Sequence, residues 1–234
     1  MASSAAHATP ATPDPATPDP AGLSLQICHD DATRRDALEL VYRNYRELGI
    51  LGPNDRGIHD CDQLYSNTAT TAAATIGDIC VGTISAYLDH PEHGLPLDGP
   101  CNAVLNEARA GGGVVLEVGL LACLGEVRER SRMLIFDLMR YATWFGDHLG
   151  VTHAVVGVHP HHVRFYTRGL GFEVMGDEQS YDQLGEAPLV PLCLYWQDLK
   201  RATDLPIGTR YFLEHPVPRE AYGADLPPAL RRAA

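Results

Sequence analysis

The stretch Val114-Val115-Leu116-Glu117-Val118-Gly119-Leu120-Leu121-Ala122 is an apolar run broken by one acid, and no other segment restricts the fold as tightly. A run of this length, free of Pro, reads as a strand covered on both faces, which places it inside a sheet with further layers above and below. Glu117 then sits in a low-dielectric layer, where an unpaired carboxylate is expensive. Two outcomes are open. Glu117 forms a buried ion pair, with Arg43 of the first helix as the candidate partner, or burial lifts its pKa toward the working range of a general base.

The rest of the chain supplies those layers. Leu23 to Ile27 alternates as a short strand; Thr33 and Asp36 suggest a capping-box start, and Leu38, Val41, Tyr45 and Leu48 follow at helical spacing until Gly49. Residues 50–68 read as loop with one helical turn. Strands at 70–76 and 79–87 flank Gly77-Asp78, a two-residue hairpin signal. A connection over 89–100 leads to a short helix at 102–109. After the acid-bearing strand, Leu134, Leu138, Tyr141, Phe145 and Leu149 mark one buried helix face ending at Gly150. A strand at 153–158, a helix at 161–168, and strands at 172–178 and 189–196 complete the order. It predicts an α/β (α+β) fold, one mixed sheet flanked by helices on both faces, in a domain over 23–198. Residues 1–22 repeat Ala-Thr-Pro and Thr-Pro-Asp-Pro and are expected to be disordered; 199–234 reads as a polar extension.

Composition excludes several function classes. The 234 residues carry 18 Lys and Arg against 30 Asp and Glu, a formal charge of -12, which argues against nucleic-acid or anionic-membrane partners. The six cysteines show neither a Cys-x-x-Cys pair nor zinc spacing, and no signal peptide is evident, so they read as reduced residues of a cytoplasmic protein. No apolar run approaches the ~20 residues of a membrane span. His159, His161 and His162 could ligate a metal, yet no carboxylate or further histidine stands at a supporting spacing, and no metal is expected.

Glu117 and its strand are followed by His159-Pro-His-His-Val-Arg-Phe-Tyr-Thr-Arg-Gly-Leu-Gly-Phe172, and this ordered pair resembles the acyl-donor half of the GNAT N-acyltransferases. A closer resemblance is to their long-chain N-acyl amino acid synthase branch, the FeeM-like proteins related to acyl-homoserine-lactone synthases. It rests on blocks in family order from 36 to 198: Val41-Tyr-Arg-Asn-Tyr-Arg-Glu-Leu-Gly-Ile50, Asn67 to Thr71, Val81-Gly-Thr83, Gly94-Leu-Pro-Leu-Asp98, Leu116 to Leu120, His159 to Phe172 and Gly185-Glu-Ala-Pro188.

The resemblance implies a GNAT-like sheet whose fourth and fifth strands diverge and admit the pantetheine arm of an acyl thioester as a pseudo-strand. Glu117 would be the general base and Tyr166 the general acid, or a hydrogen-bond donor to sulfur; packing beneath Phe172 is the plain alternative for Tyr166. Leu120, Leu121 and Ala122 would supply backbone contacts to the donor and the oxyanion. His162 and Phe165 would flank the donor, and Arg43 would bind the acceptor carboxylate. The loop Gly125 to Arg132 lacks the glycine-rich pattern of acetyl-CoA-binding GNAT proteins. Arg128, Arg130 and Ser131 would there meet the donor's phosphate or the acidic face of an acyl carrier protein. The function implied is transfer of a fatty acyl group from acyl carrier protein or coenzyme A to the amine of an amino acid or similar small acceptor. It needs no tightly bound cofactor and no covalent acyl-enzyme, since Cys123, the nearest thiol, has no His partner evident in the sequence. The competing functions are an acetyl-CoA-dependent N-acetyltransferase and a noncatalytic lipid- or protein-binding module of the same fold.

Overall fold

The computed structural model describes residues 22–130, 133–181 and 184–222, apart from the side chains of 128–130. The tail expected to be disordered, Gly22 excepted, lies outside the described residues, as does Ser131. The centre is one sheet in the order β1-β2-β3-β4-β5-β8-β6, with β7 paired to β8. Its strands are β1 (Leu23–Ile27), β2 (Ala69–Ile76), β3 (Ile79–Leu88), β4 (Val115–Cys123), β5 (His153–Val158), β6 (Glu173–Val174), β7 (Gln179–Tyr181) and β8 (Ala187–Leu194). Neighbours pair antiparallel except β4 and β5, which are parallel. A parallel pair needs a long crossover, and α3 (Gly125–Arg130) with α4 (Met133–His148) supplies it.

Helices α1 (Asp31–Glu47) and α2 (Asp98–Ala110) cover one face of the sheet; α4, joined by α5 (Trp196–Leu199) and α6 (Ile207–Glu214), covers the other. The mixed sheet with helices on both faces is thus as expected. The hairpin is also as expected: Ile76 pairs directly with Ile79, and Gly77 takes the positive φ of +57° that such a turn requires.

Several boundaries move, each for a local reason. Helix α1 is capped by Asp30 rather than by Thr33: the Asp30 carboxylate accepts from the Thr33 N–H at 2.8 Å, so Thr33 is the capped residue and not the cap. Helix α2 starts earlier than Asn102 and is kinked at Cys101, just after Pro100. The helix expected at 161–168 is a 3₁₀ turn at Pro160–His162 followed by a π-helical turn at Phe165–Leu170, closed by Gly171 at φ +79°. The strand expected over 172–178 is cut to Glu173–Val174. Met175 still donates to the Pro191 carbonyl at 2.9 Å, but Pro191 has no N–H to return the bond, and the ladder stops.

The largest correction concerns residues 199–222, the described part of the expected polar extension. Instead of a polar extension, Phe212, Val217 and Tyr222 are buried in the core beneath α4. Tyr222 donates to the Tyr141 carbonyl at 2.7 Å, Tyr141 to Ala221 at 2.9 Å, and the Trp144 indole to Phe212 at 2.9 Å. Average polarity hid them because the anchors are few and spaced among charged residues. Replacing Tyr222 by Ala should cost about 3–5 kcal/mol in equilibrium denaturation, as for other buried aromatics; a loss below about 1 kcal/mol would mean that the segment is an appendage.

Candidate functional site

Strands β4 and β5 pair through only three residues: Val115 with His153, Leu116 with Ala154 and Glu117 with Val155. Beyond Glu117 they part, while β5 stays bonded to β8 through Val158. A bulge on β4 drives the separation. Thr83 faces Ala122 and Ser85 faces Gly119, so β4 carries one residue more than β3 across that interval. Leu120 absorbs it at φ +49°, a left-handed backbone that costs a leucine roughly 1–3 kcal/mol. Strain of this kind on a central strand, beside an open gap, marks the region as built for something other than stability.

A cavity of about 560 Å³ passes through the gap and reaches both faces of the sheet. On the α1 and α2 face its walls include Asn44, Tyr45, His59, Tyr87, Glu117 and Tyr181; on the α4 face they include Met139, Ala142, Thr143, Gly146 and Phe212. Leu120, Leu121 and Ala122 line it from the bulge, and His159, His162, Phe165 and Tyr166 line it from the turns after β5. Most of the wall is apolar, as in small-molecule sites generally.

Glu117 lies where the strands part and is only 5% exposed. Burial pushes its pKa up to about 8; a hydrogen bond from the Leu97 N–H at 2.9 Å opposes the rise, and the nearby Asp98 charge adds to it. That N–H is delivered by a braced loop. Arg109 holds Asp89 at 2.7 Å and Asp98 at 2.6 Å, and Asp98 in turn accepts from the Leu95 N–H at 2.7 Å. Leu97 closes against bare backbone at Gly157, where a Cβ would meet its Cδ2 at 2.8 Å. The alternative of an ion pair with Arg43 is not what forms: the described partner of Glu117 is a backbone amide. A carboxyl group of this kind, poised near neutrality in an apolar chamber, can take a proton from an ammonium group.

Tyr166 packs edge-on against Phe165 and Phe172 at 5.4 and 5.2 Å, which is the packing role foreseen as its alternative. Its hydroxyl nevertheless makes no hydrogen bond to a described residue, the ring lines the cavity, and burial raises its pKa well above the usual tyrosine range. His162 also lines the cavity, its pKa lowered by burial and then by His159 and His161. The structure therefore brings together Glu117, Leu120, Leu121, Ala122, His162, Phe165 and Tyr166 around one cavity. It does not bring Arg43, which is exposed and outside the lining. Arg128 and Arg130 belong to α3, with side chains outside the description.

Sequence reasoning missed Tyr45, although the signal was present. Leu38, Val41 and Tyr45 trace the inward stripe of α1, whereas Leu48, expected to continue it, lies past the helix end and is exposed; Arg43, two residues from Tyr45, falls on the opposite side of the helix. Tyr45 lines the cavity, and burial pushes its pKa up to about 12. Also missed were Tyr181, whose hydroxyl donates to the Pro96 carbonyl at 3.1 Å, and His59, whose ring centroid lies 5.7 Å from that of Tyr45. His90, Glu92 and His93 offer three possible metal ligands within 4.8 Å of one another, on the loop after β3 and outside the cavity lining. Among the described residues no helix is long and apolar enough to cross a membrane.

Residues 36–195 match the family described as N-acyl amino acid synthase FeeM. None of the curated proteins matches. Among solved structures, the N-acyl amino acid synthase FeeM from uncultured soil microbes aligns at a TM-score of 0.69 and 22% identity, covering 83% of this chain and 99% of that one. A CoA-dependent acyl-homoserine lactone synthase, BjaI, solved with SAM and isopentyl-CoA, aligns at 0.58 and 12% identity, covering 91% and 99%. The acyl-homoserine lactone synthase LasI aligns at 0.55 and 15% identity, covering 73% and 88%. At such identities the likeness is one of fold, and that fold is GNAT-like.

The raised pKa of Glu117 has a stability consequence. Between the ordinary carboxylate value and about 8 the folded protein retains a proton that the unfolded chain has lost, so stability falls as pH rises through that window and the penalty is complete above it. Glu117→Gln removes the titration. Its stability relative to the native chain should rise between pH 5 and 8 with a slope approaching about 1.4 kcal/mol per pH unit. Denaturation curves that stay parallel across that range would show that Glu117 is ionised in the folded state.

Proposed function

This chain belongs to the N-acyl amino acid synthase FeeM family, and we propose that it transfers a long fatty acyl group from a pantetheine thioester, carried by acyl carrier protein or coenzyme A, to the amine of an amino acid. The supporting observation is the cavity that crosses the β4–β5 gap with Glu117 and Tyr166 in its walls. The gap leaves edges of both strands without each other as partners, and the amides of a pantetheine arm are chemically suited to them. The chamber on the α4 face is apolar and suits an alkyl chain, whereas an acetyl donor would leave it unfilled. That favours a long-chain donor over acetyl-CoA.

In this reading Glu117 takes a proton from the acceptor ammonium. The freed amine attacks the thioester carbonyl, forming the N–C bond, and the oxyanion is met by backbone N–H groups near Leu120 to Ala122. Collapse of the adduct breaks the C–S bond. The departing thiolate takes the Tyr166 hydroxyl proton, the nitrogen sheds its second proton, and Tyr166 is reprotonated, so one proton is released per turnover. The acceptor occupies the α1 and α2 face among Tyr45, Tyr87 and Tyr181. Among the described lining residues no Lys or Arg is present, so the acceptor carboxylate would turn to His59 and Asn44 rather than to Arg43.

The test is a panel of acyl-carrier-protein and acyl-CoA thioesters from acetyl to long-chain, with pooled amino acids, read by thiol release and product mass. A long-chain N-acyl amino acid is expected. Its rate should rise with pH and level off above about 8 as Glu117 deprotonates, and Glu117→Gln should lose roughly 10²–10⁴-fold. Product from acetyl-CoA alone would make this a short-chain acetyltransferase. No thiol release from any donor by folded protein would make it a noncatalytic binding module.

A further inference from the structure

Along α4 the cavity lining ends at a charged residue. Asp147, in the last turn of α4, lines the cavity, yet its Oδ1 accepts from the Trp196 indole at 3.1 Å and from Gln197 Nε2 at 3.2 Å and is also paired with the Lys200 ammonium. Trp196 is itself a wall of the cavity and is 2% exposed. Its indole stacks edge-on against Trp144 at 5.8 Å, which fixes its position. Above this cluster the walls are apolar or small: at Gly146 Leu116 and Val151 pack so close that a Cβ would meet them at 3.1 and 3.5 Å, and Ala142 opens the next turn. An apolar channel with an ion pair across its end is unusual, because the channel gains nothing from the charge. All three donors to Asp147 lie beyond residue 195, where the match to the family stops.

We propose that the Asp147–Lys200–Trp196 cluster is a length stop, which sets the longest acyl chain this enzyme accepts and is contributed by the chain's own C-terminal segment. The inference rests on the acyltransferase reading for its substrate and on the cavity walls for its position. A methylene gains by leaving water only while the wall it meets is apolar; at the floor it meets a carboxylate whose donors are already in place, and going further means breaking that cluster. The lining along α4 runs from Ile135 to Asp147, about 18 Å at 1.5 Å per residue. With C–C bonds of ~1.5 Å at tetrahedral angles, each methylene advances roughly 1.3 Å, so even the full run would hold only about fourteen; its upper part, where Leu134 and Leu138 pack at Gly82 opposite Cys123, lies beside the pantetheine arm, so a chain starting at Glu117 has less. Binding should therefore tighten about fourfold per added methylene, then stop tightening at or before about fourteen carbons.

The floor carries its own reporter. The chain has two tryptophans, Trp144 and Trp196, so Trp144→Phe leaves Trp196 as the only indole. Free fatty acids bearing a terminal bromine, four to eighteen carbons long, should quench Trp196 most strongly in a narrow window of chain length that ends at or before about fourteen carbons. Quenching that ignores chain length, or that is absent at every length, overturns the proposal. In Ala142→Phe, which blocks the channel five residues or about 7.5 Å above Asp147, the preferred thioester should shorten by roughly four to six carbons. Turnover with an unmoved length profile in that variant would remove the stop and leave the acyltransferase reading intact. Length-dependent quenching without turnover of any thioester would do the reverse, leaving a measured fatty-chain site without the proposed reaction.

Discussion

The parting of β4 from β5 after Glu117 is the constraint on which the rest of the molecule depends. A parallel pair in the middle of a sheet normally continues until both strands end, because each lost step leaves backbone groups without their ladder partners. Here the ladder stops after three residue pairs, and the bulge at Leu120 holds the strands apart at a cost in backbone strain. The surroundings are arranged to keep that opening from collapsing. Beta-strand neighbours grip the outer edges of both strands, α1 and α2 roof one face, and α4 with the C-terminal segment roofs the other.

Placing an acid at the fork imposes a second demand. Among the described residues Glu117 has no cationic partner, and one hydrogen bond from the Leu97 N–H does not offset its desolvation, so the folded protein carries a carboxyl group whose pKa is pushed up to about 8. The Arg109, Asp89 and Asp98 cluster makes that position reproducible by fixing the loop that carries Leu97. Structure and chemistry here oppose each other: the burial that destabilises the ionised fold is what gives the group its acid–base value at neutral pH.

Much of this was legible in the sequence. The acid inside an apolar run located a central strand with a buried carboxyl group, the resemblance to the GNAT proteins implied the fork, helical spacing located α1 and α4, and Gly77-Asp78 located the hairpin. What escaped depends on information outside short windows. The C-terminal residues looked polar because Phe212, Val217 and Tyr222 are single anchors among charged neighbours, buried only because α4 presents Tyr141, Trp144 and Phe145 to them. Arg43 looked suitable by residue type, whereas helix phase favoured Tyr45. The π-helical turn at Phe165–Leu170 follows no simple periodicity, and Pro191 shortened β6 from the neighbouring strand rather than from its own sequence. The deep chamber was signalled only by Ala142, a small residue on a helix that otherwise read as uniformly packed, while Gly146 marks the close approach of Leu116 and Val151 to α4.

The most direct test of the whole account is a crystal structure with a nonhydrolysable pantetheine analogue in which a methylene replaces the bond-forming sulfur of a long-chain thioester. The arm should lie between Gly119 to Ala122 of β4 and Val156 to Val158 of β5, with its carbonyl between Glu117 and Tyr166 and its alkyl chain along α4 toward Trp196. An analogue bound elsewhere, with the gap closed or filled by side chains, would contradict the claim that the parted strands are the donor site.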